Sequence, residues 1–429
     1  MAQEFRQWIS QSRDEPVATV DRFYNATALL PEDVRSSYIA ASYERADLAR
    51  HLVKAAHRLD APLSGLPYTV QDLIDVPQLP TGCGAPFKQA FEGVAETASE
   101  LFQALDAMGA CLFAKTVPAE FGVDVRGRNP SHGNCPHPES EEYVLGGGAG
   151  STVRAVAEGL VPLGFGLDTC GGLRVPCAFQ GSFGFRMGRN AYTHDGVFPV
   201  MPSVESIGWV ADTLSTLQEA FHAFYPNAHS LNQEEPKGFV IDDPCCQISP
   251  EVKSSFLLLA RELDIREDPQ QHTRLNQAFQ GAGNALQLLQ SRELYTIHQY
   301  WIDEYRDRYD ANLLRRIYRG MECSSAEVEQ CGLIQERIRQ AFTGFFAHYD
   351  YLLMPISSVS TPRQSDWNVD LESDLIQLVA PASLAALPAL TLPFVCEDGL
   401  HSAAQLIINP RKPEVVPEIL AQVAGYYQG

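Results

Sequence analysis

Two glycine-rich stretches contain backbone and side-chain groups that could do chemistry: LGGGAGST at 145–152 and DTCGGLR at 168–174. Consecutive backbone N–H groups at Cys170, Gly171 and Gly172 could form a concave cluster of donors, which would bind a carbonyl, a carboxylate or a phosphate. Alternatively, these glycines only allow close backbone packing between a strand and a helix. The residues alone leave both interpretations open.

Cys170 adds a side chain that could attack a carbonyl carbon, because a thiolate is a good nucleophile. A thiol needs a neighbouring base to become a thiolate, and His132, His137 and His194 are the candidates. Their spacing does not assign any of them to the cysteine. An ordinary buried thiol is therefore the favoured interpretation of Cys170, with an alternative nucleophile as the second.

Hydrophobic periodicity predicts the elements that must position these stretches. Residues 1–60 carry apolar residues at three- and four-residue steps, as amphipathic helices do, and 63–225 alternates helices with short strands. A second helical region is predicted at 250–347, followed by strands and a closing helix at 348–429. Together these patterns and the length of the chain predict an α/β protein that forms one large domain or two lobes.

Composition narrows the classes of function. A net charge of −21 argues against a nucleic-acid surface. Ten cysteines without paired CxxC spacing predict reduced thiols and no metal site, and no motif implies a cofactor. The start of the chain lacks a signal-peptide pattern, and the apolar stretch 378–395 contains three prolines, which favours strand and loop over a membrane helix. We therefore expect a cytoplasmic protein with no nucleic-acid or membrane partner.

Ordered blocks of sequence resemble the amidase signature family. The stretch from Leu145 to Gly208 follows the family pattern PGGSSGGS, DTGGSIR, PAAFCG and GLKPT without a gap. LSGLPYTVQDLIDV (63–76) and LFAKTVPAEFGV (112–123) resemble its upstream segments, and YDYLLMPISSVSTP (349–362) resembles a late strand. The resemblance implies an amidase-signature α/β/α sandwich around a large mixed sheet, formed as a single domain over 1–429.

The same resemblance locates the three catalytic positions of the family, a lysine and two serines that pass on the proton of the attacking hydroxyl. The lysine falls on Gln71, the first serine on Gly148 and the nucleophilic serine on Gly172, so all three reactive groups are replaced. A further serine of the motif falls on Ala149. Glutamine forms hydrogen bonds, but its amide neither takes nor gives a proton near neutral pH.

Residues that shape the backbone of the site match the family, among them Asp168, Thr169, Gly171 and Arg174. Loss of three side chains should also leave a larger cavity, which would favour a binding role. The resemblance thus implies a ligand site for a carbonyl or carboxylate at Gln71, Gly147, Gly148, Asp168, Thr169, Cys170, Gly171 and Gly172.

We predict a pseudoamidase that binds a carbonyl or carboxylate ligand or supports a partner, with a homodimer as one form of partner. The alternatives are an amidase of altered mechanism that uses Cys170, and a non-catalytic subunit of an amidotransferase-like complex. Restoring lysine at 71 and serine at 148 and 172 together should recover weak activity if the backbone of the site is preserved.

Overall fold

One mixed β-sheet runs through the chain. The structure is a computed structural model that describes residues 4–189, 191, 194–228, 235–263, 265–266 and 268–428. Within them the strands are β1 (Ile39–Ala41), β2 (Pro67–Gln71), β3 (Cys111–Thr116), β4 (Leu163–Asp168), β5 (Phe183–Arg186), β6 (Ser206–Ala211), β7 (Gly238–Val240), β8 (Ile265–Arg266), β9 (Tyr351–Pro355), β10 (Ala389–Val395) and β11 (His401–Ile408). Their order in the sheet is β1-β3-β2-β4-β6-β5-β10-β11-β9-β7-β8, with parallel pairs on both sides of an antiparallel centre.

Helices precede, interrupt and follow the strands. In chain order they are α1 (Phe5–Asp14), α2 (Pro16–Ala28), α3 (Glu32–Tyr38), α4 (Arg45–Ala56), α5 (Pro86–Glu92), α6 (Glu100–Ala107), α7 (Gly150–Ala157), α8 (Arg174–Phe179), α9 (Leu214–Phe224), α10 (Pro250–Ala260), α11 (Pro269–Phe279), α12 (Ala282–Tyr305), α13 (Ala311–Glu322), α14 (Ser325–Phe345), α15 (Val369–Leu384) and α16 (Val415–Val423). Short polar side chains start several of them. Ser324, for example, caps α14 in a reciprocal capping box with Glu327.

Both faces of the sheet are covered by apolar packing. Neighbouring residues of a strand point to opposite faces, and on β3 Leu112 belongs to one buried cluster while Phe113 belongs to another. The second cluster joins α2, α4 and α7 through Phe23, Leu48 and Val153. The mixed sheet with helices on two sides confirms the predicted fold class.

The carboxyl ends of the parallel strands β2, β3 and β4 lie together at one edge of the sheet. On β2 and β3, Gln71 is in register with Thr116, and β4 lies parallel to β2 on its other side and ends at Asp168. In such sheets the carboxyl ends of the strands open onto the space where ligands bind. The two glycine-rich stretches follow directly, one preceding α7 and the other leading from β4 into α8.

Helices α1 to α4 lie within 1–60 and helices α10 to α14 within 250–347, with the short strands β1 and β8 inserted among them. The prediction of strand and loop over 378–395 is wrong in its first half, where α15 continues to Leu384 with Pro381 inside it. Ten residues of that helix are buried, so packing outweighs the hydrogen bond that the proline removes. Among the described residues, none of the helices combines the length and the apolar character that a bilayer crossing requires.

Glu120 connects the segment that follows β3 to the helical region 250–347. It is buried, and both of its carboxylate oxygens accept a hydrogen bond from the Asp310 backbone N–H at 3.1 Å, just before α13 begins. Burial raises the pKa of Glu120 to about 7, although the backbone hydrogen bond acts in the opposite direction. A carboxylate held at this position is therefore costly above neutral pH.

We expect Glu120→Gln to stabilise the protein at pH 8 and to leave stability unchanged at pH 4. The folded state keeps the proton up to about pH 7, whereas the unfolded chain loses it near 4.5, so stability falls as pH rises between these values. The predicted gain at pH 8 is about 1–3 kcal/mol in the free energy of unfolding, measured by urea denaturation. The exposed Glu141→Gln serves as control, and an equal difference at both pH values would contradict the assignment.

Candidate functional site

Gln71 lies at the centre of the cleft and uses both ends of its side-chain amide. Its Nε2 donates to the carbonyl of Gly148 at 2.9 Å, and its Oε1 accepts from the Leu167 N–H at 2.8 Å. The side chain is only 1% exposed. Gln71 therefore ties the first glycine-rich stretch to β4, and the site that the resemblance assigns to a catalytic lysine is held by a neutral bridge.

The two glycines at the serine positions are packed against backbone. A Cβ atom at Gly148 would lie 2.4 Å from the carbonyl oxygen of Gly122, and one at Gly172 would lie 2.7 Å from that of Leu167. The carbonyl of Gly172 also accepts a hydrogen bond from the Ala149 N–H at 3.0 Å. These distances leave no room for a serine side chain without backbone movement. Every peptide bond in the described ranges is trans, including the one between Gly147 and Gly148.

Asp168, the last residue of β4, holds the loop between β4 and α8 by its contacts with Arg174. Its oxygens accept from the Arg174 guanidinium at 2.8 and 3.1 Å and from the Arg174 N–H at 3.0 Å, and the Nε of Arg186 lies 3.4 Å away. Burial alone would raise the pKa of Asp168, but the charge and hydrogen bonds of Arg174 lower it to about 2. All three side chains are buried, so this ionised cluster fixes the shape of the loop.

The loop above this anchor keeps unused hydrogen-bonding groups. Across the described residues, the N–H groups of Cys170, Gly171 and Gly172 have no acceptor. No hydrogen bond within the same residues involves the Thr169 hydroxyl or the Gln290 side-chain amide, although both side chains are at least nine-tenths buried. Buried polar groups without partners are uncommon, and here they meet in one place.

Thr169, Cys170, Gly172 and Gln290 line a cavity of about 20 Å³ together with the other side of the cleft. That volume holds roughly one water molecule. Gln71 and the close backbone contacts of Gly148 and Gly172 occupy much of the space around the cavity.

Of the eight residues proposed for ligand binding, five line the cavity: Gln71, Gly148, Thr169, Cys170 and Gly172. The other three are Gly147, Asp168 and Gly171, which shape the backbone around it. Gly147 and Gly171 adopt positive φ angles of 62° and 77°, which glycine tolerates.

Helices from the second half of the chain close the cavity from above. Gln290 on α12, Arg316 on α13 and Ile376 on α15 all contribute to its lining. Arg316 donates to the carboxylate of Glu372 at 2.6 Å, which fixes α13 against α15 at this point. The sequence missed these residues, because they lie on ordinary amphipathic helices and no motif distinguishes them.

Cys170 is half-buried at the cavity and is not set up as a nucleophile. Burial raises the pKa of its thiol to about 12, with the charge of Arg316 acting in the opposite direction. None of the three candidate histidines lines the cavity. His137 contacts the Phe179 carbonyl at 3.0 Å and His194 contacts Glu205 at 3.2 Å, both outside it.

Other groups that could replace the missing base are also engaged elsewhere. Lys115, the lysine of the FAKT segment, forms a buried ion pair with Asp72 at 2.7 Å and does not line the cavity. Asp124 does line it, but its carboxylate accepts from the Arg126 N–H at 2.6 Å and from Arg128 at 3.1 Å. The cavity thus offers donors and a tethered carboxylate, without a paired nucleophile and base.

Outside the cleft, one surface group brings potential metal ligands together. Oxygen and nitrogen atoms of Asp242, Asp243 and His272 lie within 4.8 Å of one another. Asp243 already pairs with His272 at 2.9 Å, and Asp242 pairs with Lys253 at 2.9 Å. These contacts describe a surface ion-pair network.

Comparison with known proteins agrees with this architecture. Residues 18–412 match the family described as Amidase. The chain is 25% identical to outer envelope protein 64 of Arabidopsis thaliana chloroplasts over 386 residues, which cover 83% of the chain and 64% of that protein. It is 23% identical to Amidase 1 of the same plant over 379 residues, covering 80% and 89% of the two proteins. The chain therefore spans less than two thirds of the outer-envelope relative.

Solved structures show the same fold. A structure described as a crystal structure of amidase superposes with a TM-score of 0.82 at 23% identity and covers 98% of both chains. A chain from a vestigial protein complex, described as revealing the origins of an s-triazine catabolic enzyme, superposes with a TM-score of 0.85 at 19% identity over 99% of this chain and 98% of its own. With the family match over nearly the whole sequence, the sheet order and the cleft at the strand ends, the chain belongs to the amidase family.

Proposed function

We propose that this chain is a pseudoamidase, a member of the amidase family that does not hydrolyse amides by the serine mechanism of the family. The observation that carries the proposal is the double hydrogen bond of Gln71 to Gly148 and Leu167, at 2.9 and 2.8 Å. It replaces a proton carrier by a neutral structural bridge. The glycines at 148 and 172 supply no hydroxyl, so neither attack nor proton transfer has a group to perform it.

We further propose that the remaining pocket binds a single carbonyl or carboxylate group. The unpaired N–H groups of 170–172, the Thr169 hydroxyl and the Gln290 amide supply hydrogen-bond donors on one side of the cavity. Because the cavity measures about 20 Å³, only the polar end of a ligand fits, and the rest of the molecule lies outside it.

Ten free thiols support a cytoplasmic location.

Support of a partner protein is the second candidate function. It is favoured by relatives whose described roles lie in assemblies: a pea protein named translocon at the outer membrane of chloroplasts 64, and the vestigial complex among the solved structures. A protein with this fold and no catalytic activity would support its partner by offering a binding surface. The third alternative, an amidase that uses Cys170, has less support, because the thiol is protonated and faces no free base.

We expect the purified protein to release no ammonia from acetamide or benzamide above the rate in buffer, in the wild type and in Cys170→Ala alike. In parallel, acetate should shift the NMR signals of the 170–172 amides, and Gln290→Leu should weaken that binding by about tenfold because it removes a buried donor. Gln287→Leu, on the same helix but outside the cavity, is the matched control.

Each half of this experiment has its own contradicting result. Turnover that disappears in Cys170→Ala would replace the pseudoamidase by an enzyme of altered mechanism. Acetate that moves no signal in the cleft would remove the binding role and leave partner support as the remaining function.

Restoring the family residues should fail to restore activity. We expect the triple variant Gln71→Lys, Gly148→Ser and Gly172→Ser to remain inactive and to lose about 2–5 kcal/mol of unfolding free energy, because both serine Cβ atoms overlap backbone oxygens. Gly332→Ser together with Gly344→Ser is the control, since a Cβ at either of these glycines meets no atom within 4 Å. A triple variant as stable as the control that hydrolyses amides would show that the site geometry is intact.

A further inference from the structure

A second pocket lies at the opposite end of the parallel strands from the cavity at Gln71. It measures about 200 Å³, tenfold more than the cleft, and it is bounded by α4, α6 and the first residues of β2 and β3. Tyr68 and Leu112, which are in register at the beginning of these strands, form part of its floor. Gln71 lies at the other end of β2, so the two pockets open at different edges of the sheet.

The floor of this pocket contains an unpaired polar group. Tyr68 is 1% exposed and lines the pocket, and within the described residues no hydrogen bond involves its hydroxyl. A buried phenol usually finds a partner for its O–H. Its neighbour Tyr43 shows the usual case, since that hydroxyl donates to the Pro77 carbonyl at 3.1 Å. The Tyr68 hydroxyl is thus a donor and acceptor that the protein leaves unused at the bottom of a cavity.

The walls of the pocket are flat and apolar. The rings of Tyr43, Tyr68 and Phe102 line it with Leu112, and His51 packs edge-on against Tyr43 at 4.7 Å between ring centres. Burial lowers the pKa of His51, with the charges of Lys54 and Arg50 adding to the effect, so its ring is neutral at pH 7. Such walls favour a planar or branched apolar body over a strongly hydrated one.

The mouth carries positive charge in a chain whose net charge is −21. Lys54 and Arg58 both line it. Arg58 is held by the carboxylate of Asp106 at 3.2 Å and by the Asp106 carbonyl, whereas Lys54 has no ion-pair partner among the described residues. One positive charge therefore remains uncompensated, which suits a monoanion better than a phosphate dianion.

We propose that this pocket binds a small organic monocarboxylate with a flat apolar body. The carboxylate lies at Lys54 and Arg58, the body packs between Tyr43, Tyr68 and Phe102, and a polar atom at its far end meets the Tyr68 hydroxyl. This site shares no lining residue with the catalytic cleft, so it stands independently of the pseudoamidase proposal.

Calorimetric titration of the full chain with 4-hydroxyphenylacetate tests the site. We expect saturable binding that Lys54→Met weakens about tenfold, because a charge-assisted hydrogen bond is lost, and that Ala110→Leu abolishes by filling the pocket. Tyr68→Phe should weaken this ligand but leave phenylacetate unaffected, since only the former has a polar group to meet the hydroxyl. The neutral analogue 2-phenylethanol should bind at least tenfold more weakly than phenylacetate.

Lys253→Met, a lysine that pairs with Asp242 elsewhere on the surface, is the matched control and should bind as the wild type does. Absence of saturable heat in the wild type would overturn the proposal. Binding that persists in Ala110→Leu but disappears in Gln290→Leu would also overturn it, because the ligand would then occupy the catalytic cleft.

Discussion

The side-chain amide of Gln71 is the contact on which the character of the cleft depends. By donating to Gly148 and accepting from Leu167 it joins three segments that the amidase architecture brings together at the carboxyl ends of parallel strands. A charged lysine at the same point would need a base or an anion beside it, whereas glutamine satisfies two buried backbone groups directly. The two hydrogen bonds of Gln71 therefore stabilise the closed cleft.

The ion pair that holds the loop after β4 is formed by other residues than those at the positions that the family uses for catalysis. The loop after β4 is held by the buried ion pair of Asp168 with Arg174, neither of which lines the cavity. Removing one partner of such a pair would leave an uncompensated buried charge, which is strongly destabilising. At positions 148 and 172 glycine permits close backbone packing, because a Cβ atom there would lie 2.4 and 2.7 Å from carbonyl oxygens.

Sequence patterns predicted the mixed sheet, because it follows from ordered motifs and periodicity, and the structure places Gln71, Gly148 and Gly172 around one cavity. The patterns could not predict the volume of the cleft. Contacts such as that between Gly122 and Gly148 join segments distant in sequence, and Gln290 and Arg316 reach the cavity from helices without a motif. The helical conformation of α15 around Pro381 was missed for a related reason, since tertiary burial overrode the local preference of proline.

A high-resolution crystal structure of the protein purified without added ligand tests the central claim most directly, with mass spectrometry of any molecule that co-purifies. The account predicts the Gln71 amide within hydrogen-bond distance of Gly148 and Leu167, and a cleft that holds about one ordered water or a single carboxylate group against the 170–172 amides. An open cleft with Gln71 swung away and a covalent adduct on Cys170 would contradict it.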